Sequence, residues 1–289
     1  MKDIVEFAPA KLNLYLHVTG RRADGYHDLD SLVAFATIGD EIRLRPAQDF
    51  SFVVEGPQAD ALAREDRDAN LAVAAAQSLA VLTHNALGIS LTLIKNLPVA
   101  SGIGGGSSDA AATLRTLAQF WGLAADDPRL AEAAARHGQD VPVCLKTENC
   151  YMTADGVVAA PRLPRAGVVL VNPGKELPTP MVYKNYRESG DAFSPLARFD
   201  HAPSNVQDMA TMLKLRSNDL YAAACRLLPE IVDVVDAIAA STECLLARMS
   251  GSGATCFGIY ADKAAAETAA KEIKNANPDW WVEAGEINA

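Results

Sequence analysis

Cysteine is scarce in this 289-residue chain, with five residues (Cys144, Cys150, Cys225, Cys244 and Cys256), an odd number and scattered. No C-x-x-C pair and no histidines at zinc spacing accompany them, which excludes a disulfide framework and a zinc module and predicts reduced, intracellular thiols. Basic residues are also short: 26 Lys and Arg stand against 36 Asp and Glu, a net charge of -10. Without a local basic patch such a surface repels a phosphate backbone, so no nucleic-acid partner is expected. Long hydrophobic runs are missing too. The longest charge-free stretch, between Asp68 and Lys95, is broken by Asn70, Gln77, Ser78, His84, Asn85 and Gly88, so no membrane span is expected. Lys2, Asp3, Glu6 and Lys11 interrupt any apolar core of a secretory signal, and a cytoplasmic location is the expectation. Internal repeats and low-complexity tracts are absent.

What is present describes a globular protein of one large or two moderate domains, 49% of it from the hydrophobic set and 21% charged. Residues 11 to 18 alternate Lys11, Asn13, Tyr15 and His17 with Leu12, Leu14, Leu16 and Val18, a strand with one polar and one apolar face. Lys11 and Asn13 thus point the same way. Further strands are expected near 30–38, 40–45, 51–55 and 89–94, and helices over 69–84, from the end of the glycine run, and over 128–137 before Gly138. A proline-richer stretch from 157 to 203 contains the expected mobile loop, 187–204. A helical region over 205–240 follows, and then a strand, the turn Ser250-Gly-Ser-Gly253, a strand, a helix and a last strand at 280–284. That ending suggests a second α+β layer.

The strongest chemical signal is the glycine run of Pro98, Val99, Ala100, Ser101, Gly102, Ile103, Gly104, Gly105, Gly106, Ser107 and Ser108, which opens a helix. Glycines let amides approach an anion closely, and a helix N-terminus adds unsatisfied donors and partial positive charge, so a phosphate is the natural guest. The plain alternative is a turn with a serine N-cap. No Lys follows Gly106, which excludes a Walker A loop. No strand and acidic residue follow at dinucleotide-fold spacing, and the protein-kinase motif set is missing. A kinase acting on an alcohol needs one carboxylate and one ammonium beside its phosphate cradle, and Asp140 and Lys11 are the candidates. From the residues alone, Asp140 fits a helix N-cap equally well, and Lys11 fits a solvated strand lysine.

Pro9-Ala-Lys-Leu-Asn-Leu14, Pro98-x-x-x-Gly-x-Gly-Gly-Gly-Ser-Ser108 and Ser250-Gly-Ser-Gly-Ala254 resemble, in order, the three motifs of the GHMP small-molecule kinases, and frame almost the whole chain. Asp24-Gly-Tyr-His27, followed by Asp28-Leu-Asp-Ser-Leu32, resembles the branch whose acceptor is a cytidine-diphosphate alcohol of isoprenoid-precursor synthesis. The resemblance implies an α+β fold of two domains. Residues 1–156 would form an ATP-binding domain with a left-handed β-α-β crossover, and 157–289 a ferredoxin-like domain. That crossover runs against the right-handed preference of parallel β-α-β units.

The resemblance also implies ATP as phosphoryl donor, Mg²⁺ with no assigned protein ligand, a cytidine-diphosphate alcohol as small-molecule partner, and a monomer or homodimer. Asp140 would be the base and Lys11 its partner, with the glycine run, Asn70 and Lys95 on ATP. Asn13, Tyr26, His27, Thr179, Tyr183, Gly251, Ser252 and Gly253 would bind the alcohol substrate. Gln139, where relatives carry a small residue, is a departure beside the base. A homoserine, mevalonate or galactose kinase, or a non-catalytic nucleotide sensor, are the alternatives. Asp24-Gly-Tyr-His27 argues against the other kinases, and Lys11 with Asp140 argues against a sensor.

Overall fold

The computed structural model describes residues 3–23, 25–63 and 66–288, so Asp24 of the Gly-Tyr-His motif lies outside the described residues. The first half runs β1 (Ile4–Arg21), β2 (His27–Pro46), β3 (Ser51–Glu55), α1 (Ala59–Leu62), α2 (Leu71–Thr83), β4 (Ile89–Ile94), α3 (Gly105–Trp121), α4 (Pro128–Ala135) and α5 (Asp140–Lys146). The second runs β5 (Cys150–Thr153), β6 (Gly156–Ala159), β7 (Ala166–Asn172), α6 (Thr179–Ser189), α7 (Val206–Lys214), α8 (Tyr221–Leu227), α9 (Glu230–Ala240), β8 (Leu246–Met249), β9 (Cys256–Tyr260), α10 (Lys263–Ala276) and β10 (Trp281–Ile287). The fold is α+β. Among the described residues no helix is long and apolar enough to cross a membrane.

The chain forms two compact units from interleaved segments, because β1 and β2 each give one part to either unit. The first unit comprises 1–10, 39–99 and 104–147, and the second 11–38, 100–103 and 148–289. In the first, β3 pairs parallel with β4, and β4 pairs antiparallel with Glu41–Pro46 of β2. Parallel neighbours need a crossover, which α1 and α2 supply. Helix α2 begins where Asn70 Oδ1 accepts from the Ala72 amide, and ends on His84 in the left-handed conformation. It packs on α3, and α3 on α5, where Arg115 donates to the carbonyls of Cys144 and Leu145.

In the second unit the strands lie in the order β10-β7-β9-β8, all antiparallel. Counted in chain order these are strands four, one, three and two, with helices after the first and third, which is the split β-α-β arrangement of a ferredoxin-like layer. Its first strand, β7, is buried along its whole length, and the sequence reading passed over it. The unbroken apolar run Gly167–Val171 is the signal of a doubly covered strand, but it sits inside the proline-richer stretch that reads as loop.

Three further expectations change. The polar face of residues 11–18 is not solvated, because Lys11, Asn13, Tyr15 and His17 are all buried and bond within the protein. The region 205–240 is three helices, broken at Ser217-Asn-Asp219 and at Leu228-Pro229. The expected mobile loop begins inside α6, and the rest of it is fastened: Ser194 N donates to Val18 O, Ala197 N to Asp30 Oδ2 at 2.6 Å, and Phe199 N to the Tyr151 hydroxyl at 3.0 Å.

Candidate active site

In the first unit the glycine run opens α3. Gly104 stands at the N-cap in the left-handed conformation with φ 64°, and the Ser108 amide closes the first helical bond on Gly104 O at 2.8 Å. The amides of Gly105, Gly106 and Ser107 precede that bond and by position lack a helical partner. Ser108 is buried, and its hydroxyl has no hydrogen-bond partner. A Cβ on Gly106 would stand 3.4 Å from Leu71 Cδ1, so the starts of α2 and α3 are neighbours and Asn70 lies beside the loop. Asn70 spends its carbonyl oxygen on capping α2, leaving its amide nitrogen as the group with which it could reach a nucleotide.

Lys95 is buried, and its ammonium donates to Asp40 Oδ2 at 2.5 Å and Asp109 Oδ2 at 2.7 Å. Burial pulls the lysine pKa down, but Asp109 and Asp40 together outweigh it and leave the pKa raised. Asp109 is itself raised, by burial first and by Asp40, against the pull of Lys95. A direct contact between Lys95 and a nucleotide would therefore compete with two buried ion pairs.

Asp140 is the first residue of α5 rather than its N-cap. Gln139 holds the cap position in a helical conformation and makes no side-chain capping bond, so the departure noted beside Asp140 leaves α5 intact.

In the second unit, the remainder of the glycine run pairs with its surroundings. Leu177 N donates to Ala100 O, Thr255 N to Ser101 O at 3.0 Å and Lys11 N to Ile103 O at 2.9 Å. The turn Ser250–Gly253 joins β8 to β9 and rests on Gly102. The Ser250 hydroxyl accepts from Asn13 N and donates to Gly102 O, both at 3.1 Å. A Cβ on Gly102 would meet Ser250 O at 2.5 Å, and one on Gly251 would meet Gly102 O at 2.5 Å, so both positions exclude side chains. Asn218 Nδ2 clamps the turn by donating to the carbonyls of Met249 and Gly251, both at 2.8 Å. Ser252 Oγ lies 2.7 Å from Thr179 Oγ1 at the start of α6.

Lys11 Nζ donates to Asn13 Oδ1 at 3.0 Å, Asn13 Nδ2 to Ser31 Oγ at 2.7 Å, and Ser31 Oγ to Tyr15 O at 2.6 Å. This chain of hydrogen bonds helps to hold the buried ammonium in place. Nearby in sequence, the β1–β2 turn presents Tyr26, 66% exposed, and His27. The His27 ring stacks on Tyr183 of α6, with centroids 5.3 Å apart and planes at 22°, and meets Tyr186 edge-on at 5.8 Å. Burial first, then the charges of Arg21 and Arg187, push the His27 pKa down and favour the neutral ring.

The structure thus brings together Lys11, Asn13, Gly102, Ser250, Gly251, Ser252 and Thr179, and separately His27 with Tyr183. The sequence reading missed Asp40, Ser31, Tyr186 and Asn218 and gave Asp109 no role. Asp109 directly follows the glycine motif and could have been flagged from it. The others sit far along the chain from their partners, and only Ser31, in Asp28-Leu-Asp-Ser-Leu32, stands in one of the motifs.

The GHMP kinases N terminal domain matches residues 70–148, and the GHMP kinases C terminal domain matches 204–279. The 4-diphosphocytidyl-2-C-methyl-D-erythritol kinase of Rhodospirillum rubrum is 45% identical over 99% of this chain and 93% of its own length. The chain belongs to that GHMP kinase family. A Cereibacter sphaeroides protein of the same name is 47% identical over 96% of both chains. A crystal structure of 4-(cytidine 5'-diphospho)-2C-methyl-D-erythritol kinase superposes with a TM-score of 0.79 at 30% identity, covering 99% of this chain and 100% of the other. Both Gly102–Ser108 and Asp140 lie inside the matched N-terminal domain, and the turn 250–253 inside the matched C-terminal one.

Proposed function

We propose that the chain transfers the γ-phosphoryl group of ATP to the 2-hydroxyl of 4-diphosphocytidyl-2-C-methyl-D-erythritol, in the non-mevalonate route to isoprenoid precursors. The observation that carries this reading is identity of 45–47% to enzymes of that name over nearly their whole length. The two family matches fall on either side of residue 156 and support an ATP-binding half, 1–156, and a second half, 157–289, as divisions of the sequence, while the compact units cross that line at 11–38, 100–103 and 148–156.

ATP lays its phosphates along the free amides that open α3, where donors and helix dipole meet the negative charge. Mg²⁺ arrives as part of the MgATP substrate. Among the described residues no group of three or more His, Cys, Asp and Glu side chains could hold a metal ion. Asp140 accepts the hydroxyl proton, the alcohol oxygen bonds to the γ-phosphorus, and the bond from that phosphorus to the β-γ bridging oxygen breaks to release ADP. Lys11, steadied by Asn13, orients the hydroxyl. His27, Tyr26 and Tyr183 take the cytosine. A neutral imidazole offers one donor and one acceptor to the base edge, and the aromatic rings offer flat faces. Thr179 and the 251–253 turn line the path of the remaining substrate. The reaction requires a soluble nucleotide pool, which suits the cytoplasm.

The test is ATP consumption by the purified protein across a panel of alcohols that includes homoserine, mevalonate, galactose and the cytidine-diphosphate alcohol. Turnover confined to the last is the expected result, and turnover with another alcohol, or none with any, overturns the reading.

A further inference from the structure

Under the glycine loop lies a closed charged set that the reaction does not use directly. Lys95 and Asp40 come from the strand side of the first unit, Lys95 just past β4 and Asp40 within β2, and Asp109 from the second turn of α3. Exposures are 2% for Lys95, 0% for Asp40 and 3% for Asp109, so none of the three reaches solvent. Asp40 is fully engaged: Oδ2 accepts from Lys95, and Oδ1 accepts from the amides of Asn96 at 2.6 Å and Leu97 at 2.8 Å. Asp109 is engaged on one side only, Oδ2 accepting from Lys95 while Oδ1 is buried without a partner.

The set also touches the loop itself. A Cβ on Gly105, the first residue of α3, would lie 3.1 Å from Lys95 Nζ and 3.8 Å from Asp40 Oδ2. The ammonium therefore packs directly against the first residue of α3. Replacing a buried ion network by apolar side chains is often neutral or favourable for stability, so a charged set here is a weak stabiliser compared with what would fit in its place. It does supply direction, since a hydrogen-bonded ammonium shared by two carboxylates has one geometry where apolar packing allows several.

We infer that Asp40, Lys95 and Asp109 are positioning residues that hold the first turn of α3 at the depth and angle its amides need to receive the ATP phosphates. The inference rests on the reading of that turn as the ATP site. Lys95 acts on ATP through Gly105 and the helix start. Asp109 is the link between ammonium and helix, and what it contributes is an acceptor of the right reach. An amide in its place keeps that acceptor and gives the second position a donor.

Steady-state kinetics of the full-length protein with MgATP and the cytidine-diphosphate alcohol, alongside thermal melting, test this. Asp109→Ala should raise KM for ATP by about tenfold while KM for the alcohol stays within about twofold, and Asp109→Asn should return KM for ATP to within about threefold of the parent. Parental KM for ATP in Asp109→Ala, an equal rise in both KM values, or an Asn variant as impaired as the Ala variant at matched melting temperature would each overturn the inference. If Asp109→Ala does not fold, the triple variant Asp40→Asn, Lys95→Met and Asp109→Leu, which leaves no buried charge and keeps an acceptor for the amides of Asn96 and Leu97, decides in its stead. A selective rise in KM for ATP supports the positioning role, and parental KM for ATP overturns it. A parent protein that fails to phosphorylate any alcohol would overturn the kinase reading itself, an outcome distinct from any of the variant results.

Discussion

Lys95 and Lys11 are both buried, one in each compact unit, and their surroundings differ. Lys95 is clasped by two carboxylates of its own unit. The ammonium of Lys11 donates to an amide oxygen, at the head of a chain through Asn13 and Ser31. A carboxylate clasp neutralises an ammonium and fixes it. Lys11 is tied through the Asn13 amide into a chain of side chains that leads back to its own strand at Tyr15 O. We propose that Lys95 shapes the site and that Lys11 takes part in the chemistry.

The largest effect belongs to the chemical side. Asp140→Ala should lower kcat by about 10²-fold to 10⁴-fold, with KM for ATP little changed, as expected of a general base. Near-parental turnover would remove Asp140 as the base. Next comes the structural side: Lys95→Met leaves two buried carboxylates without their cation and should cost about 3–5 kcal/mol of stability in denaturant titration. Lys11→Met should lose turnover with a smaller loss of stability. If the two substitutions ranked the other way in stability, the distinction between the lysines would fail.

Gly102→Ala places a methyl 2.5 Å from Ser250 O in the second unit, at a backbone angle of φ +75°. It should cost about 2 kcal/mol or more, read as a fall in denaturant midpoint. A silent substitution would show that the 250–253 turn does not need the close approach.

The smallest effect concerns recognition: His27→Ala should raise KM for the cytidylyl substrate about tenfold, with KM for ATP unchanged. Because the folded pKa of His27 is lowered, its neutral ring persists to more acid conditions than that of a free histidine, whose midpoint is about 6.5. KM for this substrate should stay flat as pH falls through that midpoint and rise only below it. A rise centred on the ordinary midpoint would mean the ring is not held neutral by burial and the two arginines.

Much of the geometry around the glycine run was legible because its signal is local. Gly102–Ser108 is a contiguous run that opens a helix, and Lys11 and Asn13 sit in one short motif. What stayed hidden depends on pairing across the chain. Asp40 matters through Lys95, 55 positions away, and Asn218 through Met249 and Gly251, 31 and 33 positions on. The alternation in β1 correctly put Lys11 and Asn13 on one face, but alternation alone gives no sign that both faces are covered. Strand β7 escaped for the related reason that an apolar run without polar alternation is ambiguous, and nearby prolines tipped it toward loop.

The most direct measurement is a crystal structure of the protein with a non-hydrolysable ATP analogue and the cytidine-diphosphate alcohol. The account predicts phosphate oxygens on the amides of Gly105 to Ser107, and the acceptor hydroxyl within hydrogen-bond reach of the Asp140 carboxylate with Lys11 beside it. A γ-phosphorus seated away from the start of α3, or a hydroxyl facing some other base, would contradict it.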